Sequence, residues 1–379
     1  MINSEISEIK KQFNHDNCSI TKVSGCYVDG EKEIKARFTE SFLCMPEEET
    51  FKYFEIFKKT LSGSIGKNLM NMDFPTESEF NGGTQEFLLK LRDSELKNED
   101  LLDEFYEKIV NLYDYVGNYL ILVLYAAYDV PGKSSDRQLM EDASDEVYRY
   151  ILCSICPVKL SKPGLSYNTE VNQIQKRIQD WVVAVPNNGF LFPSFNDRST
   201  DLHSILYYSK DSEELHSEFV DGLLGCKVPM SAGAQKESFQ TLIMETLGDE
   251  CEYEIVKNIH DKLNEIIEEH KLKEIPEPLT LDKTEVKTLL SESGVTQEKL
   301  VNFDQNYENV TGENHSLLAA NLTSTRVFEV KTPDVVVKVN PERTDLVQTK
   351  MVEGRKCLVI EITDEVEVNG MPVKPITIE

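Results

Sequence analysis

The chain has 379 residues with 40 Lys and Arg against 67 Asp and Glu, and its formal net charge of −27 excludes a generic basic nucleic-acid coat. Hydrophobic residues at 40% and aromatics at 9% are enough to fill real cores, which excludes disorder as the main state, and at roughly 150 residues per domain the length suggests two or three domains. No run reaches the roughly 18 apolar residues of a membrane span, Met1-Ile2-Asn3-Ser4-Glu5 lacks the start of a signal peptide, and 8 cysteines are too few for a disulfide scaffold, so a soluble cytoplasmic protein with reduced thiols is expected.

Ile2, Ile6, Ile9 and Phe13 recur at helical spacing, and the chain opens with an amphipathic helix that needs a partner surface. Ser19 to Val28 and Glu33 to Phe42 flank Asp29-Gly30, a pair that tolerates positive φ and predicts a hairpin. Glu47 to Leu61 predicts a helix whose aromatic face, with Phe51, Phe54 and Phe57, belongs to the core. Tyr119 to Tyr128 is apolar throughout and predicts a buried strand ending in a turn at Asp129-Val130-Pro131-Gly132. Further buried runs are Val147 to Leu160, Trp181 to Val185 paired as a hairpin with Phe190 to Phe195, and Leu202 to Tyr208. Strands spread among helices without regular βαβ alternation predict an α+β fold, with a mixed, largely antiparallel sheet covered by helices.

Beyond Tyr208 the period becomes helical: one helix stops at Gly225, a second at Gly248, and a third, charged rod carries Tyr253, Val256, Ile259, Leu263, Ile266 and Ile267 as its stripe. Glu274-Ile-Pro-Glu-Pro278 breaks that pattern and is the best boundary. Asp282-Lys-Thr-Glu285 predicts a capped helix ending at Gly294, and Thr296 a second short helix through Tyr307. The remainder reads as an antiparallel strand meander, with turns at Val352-Glu353-Gly354 and Asn369-Gly370. The domains so read are 1–210, 211–275 packing on it, and 276–379.

Few motifs carry chemistry. Gly63, Gly66 and Lys67 lack the spacing and the following Ser or Thr of a phosphate loop, and are read as a helix terminus. Cys153 and Cys156 have the spacing of a redox pair or half a zinc site, but no second pair follows and the run around them reads as strand, so they are read as buried structural thiols. His260 is followed four residues later by Asn264, a poor metal ligand, and His15, His216, His270 and His315 have no spacing that suggests a site. No metal and no cofactor is assigned. The densest set of capable groups is Phe195 to His203: on a loop, Asp197, Arg198, Ser199 and Asp201 could hold a phosphate or a divalent ion, and Asp201 with His203 would share a strand face as an acid-base or ligand pair. The same residue types serve any connector that satisfies its own backbone. Lys331, Lys338, Arg343, Lys350, Arg355 and Lys356 concentrate positive charge near the C-terminus, as a phosphate-contacting patch or as ordinary protection of strand edges.

The order from Tyr207-Tyr-Ser-Lys210 through Phe219-Val-Asp-Gly-Leu-Leu224-Gly225 and Ser231-Ala-Gly-Ala-Gln235 to the helix containing Phe239 resembles the helical stretch of the 37-kDa nucleoid-associated proteins of bacteria. That resemblance spans about residues 200 to 370 and implies a non-enzymatic protein found with the chromosome. The whole chain, including Cys153-Ser-Ile-Cys156-Pro157 and Phe195 to His203, more closely resembles an uncharacterised domain-of-unknown-function family of anaerobic Gram-positive bacteria, which supplies no activity. Two readings follow. One is a non-enzymatic cytosolic binding protein, nucleoid-associated, with DNA or a nucleoid protein as partner through the C-terminal basic residues. The other is a metal- or phosphate-dependent hydrolase using Asp197, Arg198, Asp201 and His203. A homo-oligomer joined through the Ile2 to Phe13 helix or the long Tyr253 to His270 helix is a third, structural expectation.

Overall fold

The computed structural model describes residues 1–77, 82–133, 139–248, 251–312, 316–363 and 366–373, with backbone alone at 133 and 139–145. His315 lies outside the described residues. The chain forms two compact units, one of 1–233 with 276–278, the other of 234–275 with 279–379.

In the first unit the elements are α1 (Asn3–Lys10), β1 (Ile20–Val28), β2 (Ile34–Ser41), α2 (Glu47–Thr60), β3 (Leu69–Asp73), α3 (Thr84–Asp93), α4 (Glu99–Leu112), β4 (Asn118–Lys133), β5 (Leu139–Leu160), β6 (Leu165–Asn168), β7 (Gln173–Lys176), β8 (Trp181–Val183), β9 (Asn188–Phe192), β10 (Ser194–Asn196), β11 (Ser199–Asp201), β12 (Ser204–Ser209) and the short α5 (Ser217–Phe219). The main sheet has the order β2-β1-β4-β5-β9-β12-β3, with β8 also paired to β5, and every pairing is antiparallel. The α+β class expected from the sequence is the observed one.

Helices cover both faces of this sheet. Ile121, Val123, Cys153, Ile155, Phe190 and Tyr207 face α3, α4 and the Phe219–Leu224 segment, whereas Leu122, Leu124, Leu152, Leu191, Leu206 and Tyr208 face α1 and α2. That is why Tyr119 to Tyr128 shows no alternation: a strand buried on both sides is apolar at every position. Within α2, Phe54 and Phe57 are buried but Phe51 lies outside the core, because it points off the stripe that meets the sheet.

Two local expectations change. β4 does not turn at Asp129; it runs on to Lys133 opposite β5, and Pro131 is accommodated where the register shifts. β8 and β9 do not pair with each other. Both pair with β5, β9 along Ile151–Ile155 and β8 along Val158–Leu160, because Pro186 and Asn187 step the chain along one strand instead of folding it back. Gly189 makes the close approach of β9 feasible, since a Cβ there would lie 2.3 Å from the Cys153 carbonyl oxygen and 2.5 Å from the Thr60 methyl.

The second unit contains α6 (Ala232–Leu247), α7 (Tyr253–Leu272), β13 (Thr280–Leu281), α8 (Lys283–Glu292), α9 (Phe303–Thr311), β14 (Leu317–Leu318) and α10 (Ala319–Leu322). Asp282 accepts from the Glu285 amide at 2.8 Å and Glu285 accepts from the Asp282 amide at 2.8 Å, the reciprocal cap read from the sequence. Gly225, Gly248 and Gly294 all take positive φ after their helices. The α7 stripe, Ile259, Leu263 and Ile267, is buried with Leu242, Leu289, Phe303 and Leu317, so α6 and α7 share a core with the C-terminal segment. Likewise Ile6, Ile9 and Phe13 are buried within the first unit, so the apolar faces first offered for pairing between subunits are used inside the chain.

The C-terminal strands are β15 (Phe328–Lys331), β16 (Val336–Val339), β17 (Val347–Val352), β18 (Arg355–Ile360), β19 (Val366–Val368) and β20 (Met371–Val373). They form three separate two-stranded hairpins rather than a continuous meander. The turn of helix at Pro341–Leu346 interrupts strand-to-strand pairing between the first two, and each hairpin closes on its own short turn.

Candidate functional site

In the first unit, the segment joining β12 to α5 borders a cavity of about 410 Å³ lined by Tyr115, Asn188, Lys210, Asp211, Ser212 and His216, among others. Its floor is a buried polar network. Tyr113 donates to Asn188 Oδ1 at 2.7 Å, Asn188 Nδ2 donates to the Tyr207 hydroxyl at 2.9 Å, and Tyr207 donates to the Leu215 carbonyl at 3.0 Å. Ser209 Oγ lies 3.3 Å from Asn188 Nδ2 and shares its proton between the carbonyls of Asp211 and Glu214, at 2.7 and 2.8 Å. Burial drives the hydroxyls of Tyr113 and Tyr207 well above the ordinary phenol range, so both act as neutral hydrogen-bonding groups.

The rim is equally constrained. Asn68 Nδ2 donates to the carbonyls of Ser209 and Lys210, each at 3.1 Å, and the Lys210 amide donates to the Asn187 carbonyl at 2.7 Å. Asn68 reaches this position because Gly63, at φ +131°, leaves room beneath it; a Cβ there would sit 2.4 Å from the Asn68 Cβ. The Gly63–Lys67 segment is thus a loop that seats Asn68 under the rim.

His216 itself is held at φ +48°, ψ +67°, an uncommon conformation for a side chain of its size. Its ring packs on Tyr113 with centroids 4.7 Å apart, and Tyr113 in turn stacks on Tyr115 at 6.0 Å. Burial lowers the His216 pKa, with the carboxylates of Glu214 and Asp114 acting in the opposite direction. His216 Nε2 is 3.8 Å from Glu214 Oε1, an ion-pair distance only when the ring is charged. His216 also borders a second cavity of about 470 Å³, with Asp114, Glu213, Glu214 and Ser231 among its lining residues. The arrangement offers an aromatic wall, a titratable imidazole and a row of polar groups around a preformed hollow.

The residues singled out between Phe195 and His203 occupy a different place. β10 and β11 form a tight hairpin with Asp197 and Arg198 at its turn, at φ +51° and +57°. Arg198 forks onto Glu8 at 3.0 to 3.3 Å and donates to the Pro131 carbonyl at 3.0 Å; the Glu8 carboxylate raises its pKa. Asp201 accepts from Asn196 at 2.6 Å, from Ser204 at 2.7 Å and from the His203 amide at 2.9 Å; burial opposes its charge, and these bonds outweigh it to lower its pKa. Glu146 accepts from Thr200 and Ser199, which hold its pKa low. The hairpin brings Asp197 and Arg198 together at its turn and places Asp201 and His203 at the far end, with His203 exposed.

Cys153 and Cys156 lie buried on β5, and burial raises both thiol pKa values far from the reactive range. Among the described residues no three His, Cys, Asp or Glu side chains gather as a metal-binding group. No helix among them is long and apolar enough to cross a membrane.

A family model described as Domain of unknown function (DUF4317) matches residues 1–371. The chain belongs to that family. No curated protein matches it.

In this DUF4317 chain the six C-terminal basic residues are spread over five elements. Lys331 and Lys338 share a face of the β15–β16 hairpin with Glu329, which lies 3.8 Å from Lys338. Arg343 pairs with Asp345 at 3.3 Å. Lys350 and Arg355 share one face of β17–β18, and Lys356 takes the other. Sequence reasoning passed over His216, because a single histidine among Ser, Glu and Asp has no ligand spacing. The signal was positional: a largely polar loop, Lys210 to His216, joins a wholly buried strand to a helix that begins at Ser217.

Proposed function

We propose that this chain is a non-enzymatic cytosolic binding protein whose first unit takes a small polar molecule with a flat ring in the Tyr115–His216 cavity. The observation that carries this reading is the network running from Tyr113 through Asn188 to Tyr207 and Leu215, which fixes the hollow before any ligand arrives. A preformed site loses less ordering free energy on binding, and the stacked Tyr113 and Tyr115 supply a surface for a ring. Saturation-transfer NMR with adenosine, uridine and tyrosine as probes tests it. Binding that is lost in Tyr115→Ser and His216→Ala supports the reading; no signal from any probe at millimolar concentration, with no small molecule co-purifying from the native cytoplasm, counts against it.

The second reading keeps the nucleoid of anaerobic Gram-positive bacteria as the place of work, with DNA or a nucleoid protein as partner. It is supported by Lys350 and Arg355 on one face of β17–β18. Gel shift at low and then moderate salt tests the direct form, since phosphate contacts lose affinity steeply as salt rises. The hydrolase alternative requires Arg198 to leave Glu8 and Asp201 to exchange its three donors for substrate or metal, which turnover of phosphate esters by Asp201→Asn and wild-type protein would decide.

A further inference from the structure

The hairpin of β6 and β7 is patterned like half of a packed sheet, yet nothing among the described residues covers it. Register places Leu165 opposite Lys176 and Tyr167 opposite Ile174 on one face, with Ser166, Asn168, Gln173 and Gln175 on the other. On the apolar face Leu165 is 77%, Tyr167 56% and Ile174 63% exposed. An isolated two-stranded hairpin is marginal in water, and its apolar side gains its stability from a partner layer.

The charge around it runs against the balance of the whole chain. From 159 to 185 there are four bases, Lys159, Lys162, Lys176 and Arg177, against two acids, Glu170 and Asp180, in a molecule of net charge −27. Two copies meeting through strongly acidic surface set carboxylates against carboxylates, whereas this stretch carries few of them. The hairpin also carries charges of opposite sign at its two ends. Lys176, on the apolar face, stands at the base opposite Leu165, and Glu170 stands in the turn between Asn168 and Gln173. Neither forms an ion pair among the described residues. When two such faces meet head to tail, the base of each lies over the turn of the other: Leu165, Tyr167 and Ile174 pack against their counterparts, and Lys176 meets Glu170 of the second copy twice.

We propose that the apolar face of the β6–β7 hairpin joins a second copy of this chain about a two-fold axis. Sedimentation velocity over a dilution series of the full chain tests it. The expected result is a dimer that Ile174→Asp weakens by about a hundredfold or more, and that Lys176→Glu or Glu170→Lys alone weakens by about tenfold. The double variant Lys176→Glu with Glu170→Lys restores the wild-type constant, which separates the interface from any general loss of folding. A monomer at every concentration up to about 100 μM, a dimer indifferent to Ile174→Asp, or a charge exchange that fails to restore association overturns the proposal.

Discussion

The Tyr113 hydroxyl donates to Asn188 Oδ1 at 2.7 Å, tying the residue that ends α4 to the first residue of β9. The two are 75 positions apart in the chain, and both are almost wholly buried. Because Asn188 also donates to Tyr207 and Ser209, one amide sets the position of three elements around the cavity.

Asn188→Ala removes every one of these bonds and leaves two buried tyrosine hydroxyls short of a partner. The expected loss of stability is about 2–4 kcal/mol, and Tyr113→Phe, which deletes a single donor, costs about 1 kcal/mol. Urea unfolding of the two variants beside wild type measures both; equal effects would show that Asn188 does not organise the network.

At the next residue, Gly189→Ala drives a methyl group against the Cys153 carbonyl oxygen and the Thr60 side chain. Neither β5 nor α2 has slack there, since Thr60 and Ser154 are bonded to each other in the core. A loss of about 1–3 kcal/mol is expected. Thermal unfolding followed by circular dichroism reads it directly.

His260 in the second unit is half-buried, bonded through Nδ1 to Thr323 Oγ1 at 3.1 Å and packed near Phe328. Burial lowers its pKa below the ordinary 6.5; Asp261 opposes that shift and Lys236 adds to it. The unfolded chain therefore takes up the proton first as the pH falls. The stability supplied by neutral His260 is fully present above about pH 6.5 and declines below it. Denaturant midpoints between pH 5 and 8 should fall more steeply on the acid side for wild type than for His260→Gln, and matching slopes would contradict this.

The β17–β18 hairpin is tethered to α7 by Thr344 Oγ1 on the Asp261 carboxylate, 3.1 Å from each oxygen, and by the Tyr253 hydroxyl on the Val347 carbonyl at 3.2 Å. Thr344→Val is expected to cost about 1–2 kcal/mol locally, while the α8 core keeps its protection. Hydrogen exchange resolved by peptide should show faster exchange confined to the Pro341–Ile360 region.

Much of this was legible along the chain because it depends on near neighbours. The Asp282–Glu285 cap, the hairpin at Asp29-Gly30, whose positive φ falls on Lys32 and not on the glycine, and the glycines that end three helices are set within a few residues, where backbone sterics and local hydrogen bonds decide the outcome. Composition likewise determined an acidic protein with enough apolar residues for its cores, and the continuous run at Tyr119 to Tyr128 determined a doubly covered strand. Only the tertiary structure decided which strand lies beside β5, that Arg198 is held by Glu8 from 190 positions away, and that His216 stands over Tyr113 at the edge of a hollow. Those relationships are contacts between residues far apart in sequence, and their energy comes from burial and from satisfying polar groups that have been withdrawn from water, which no local pattern encodes.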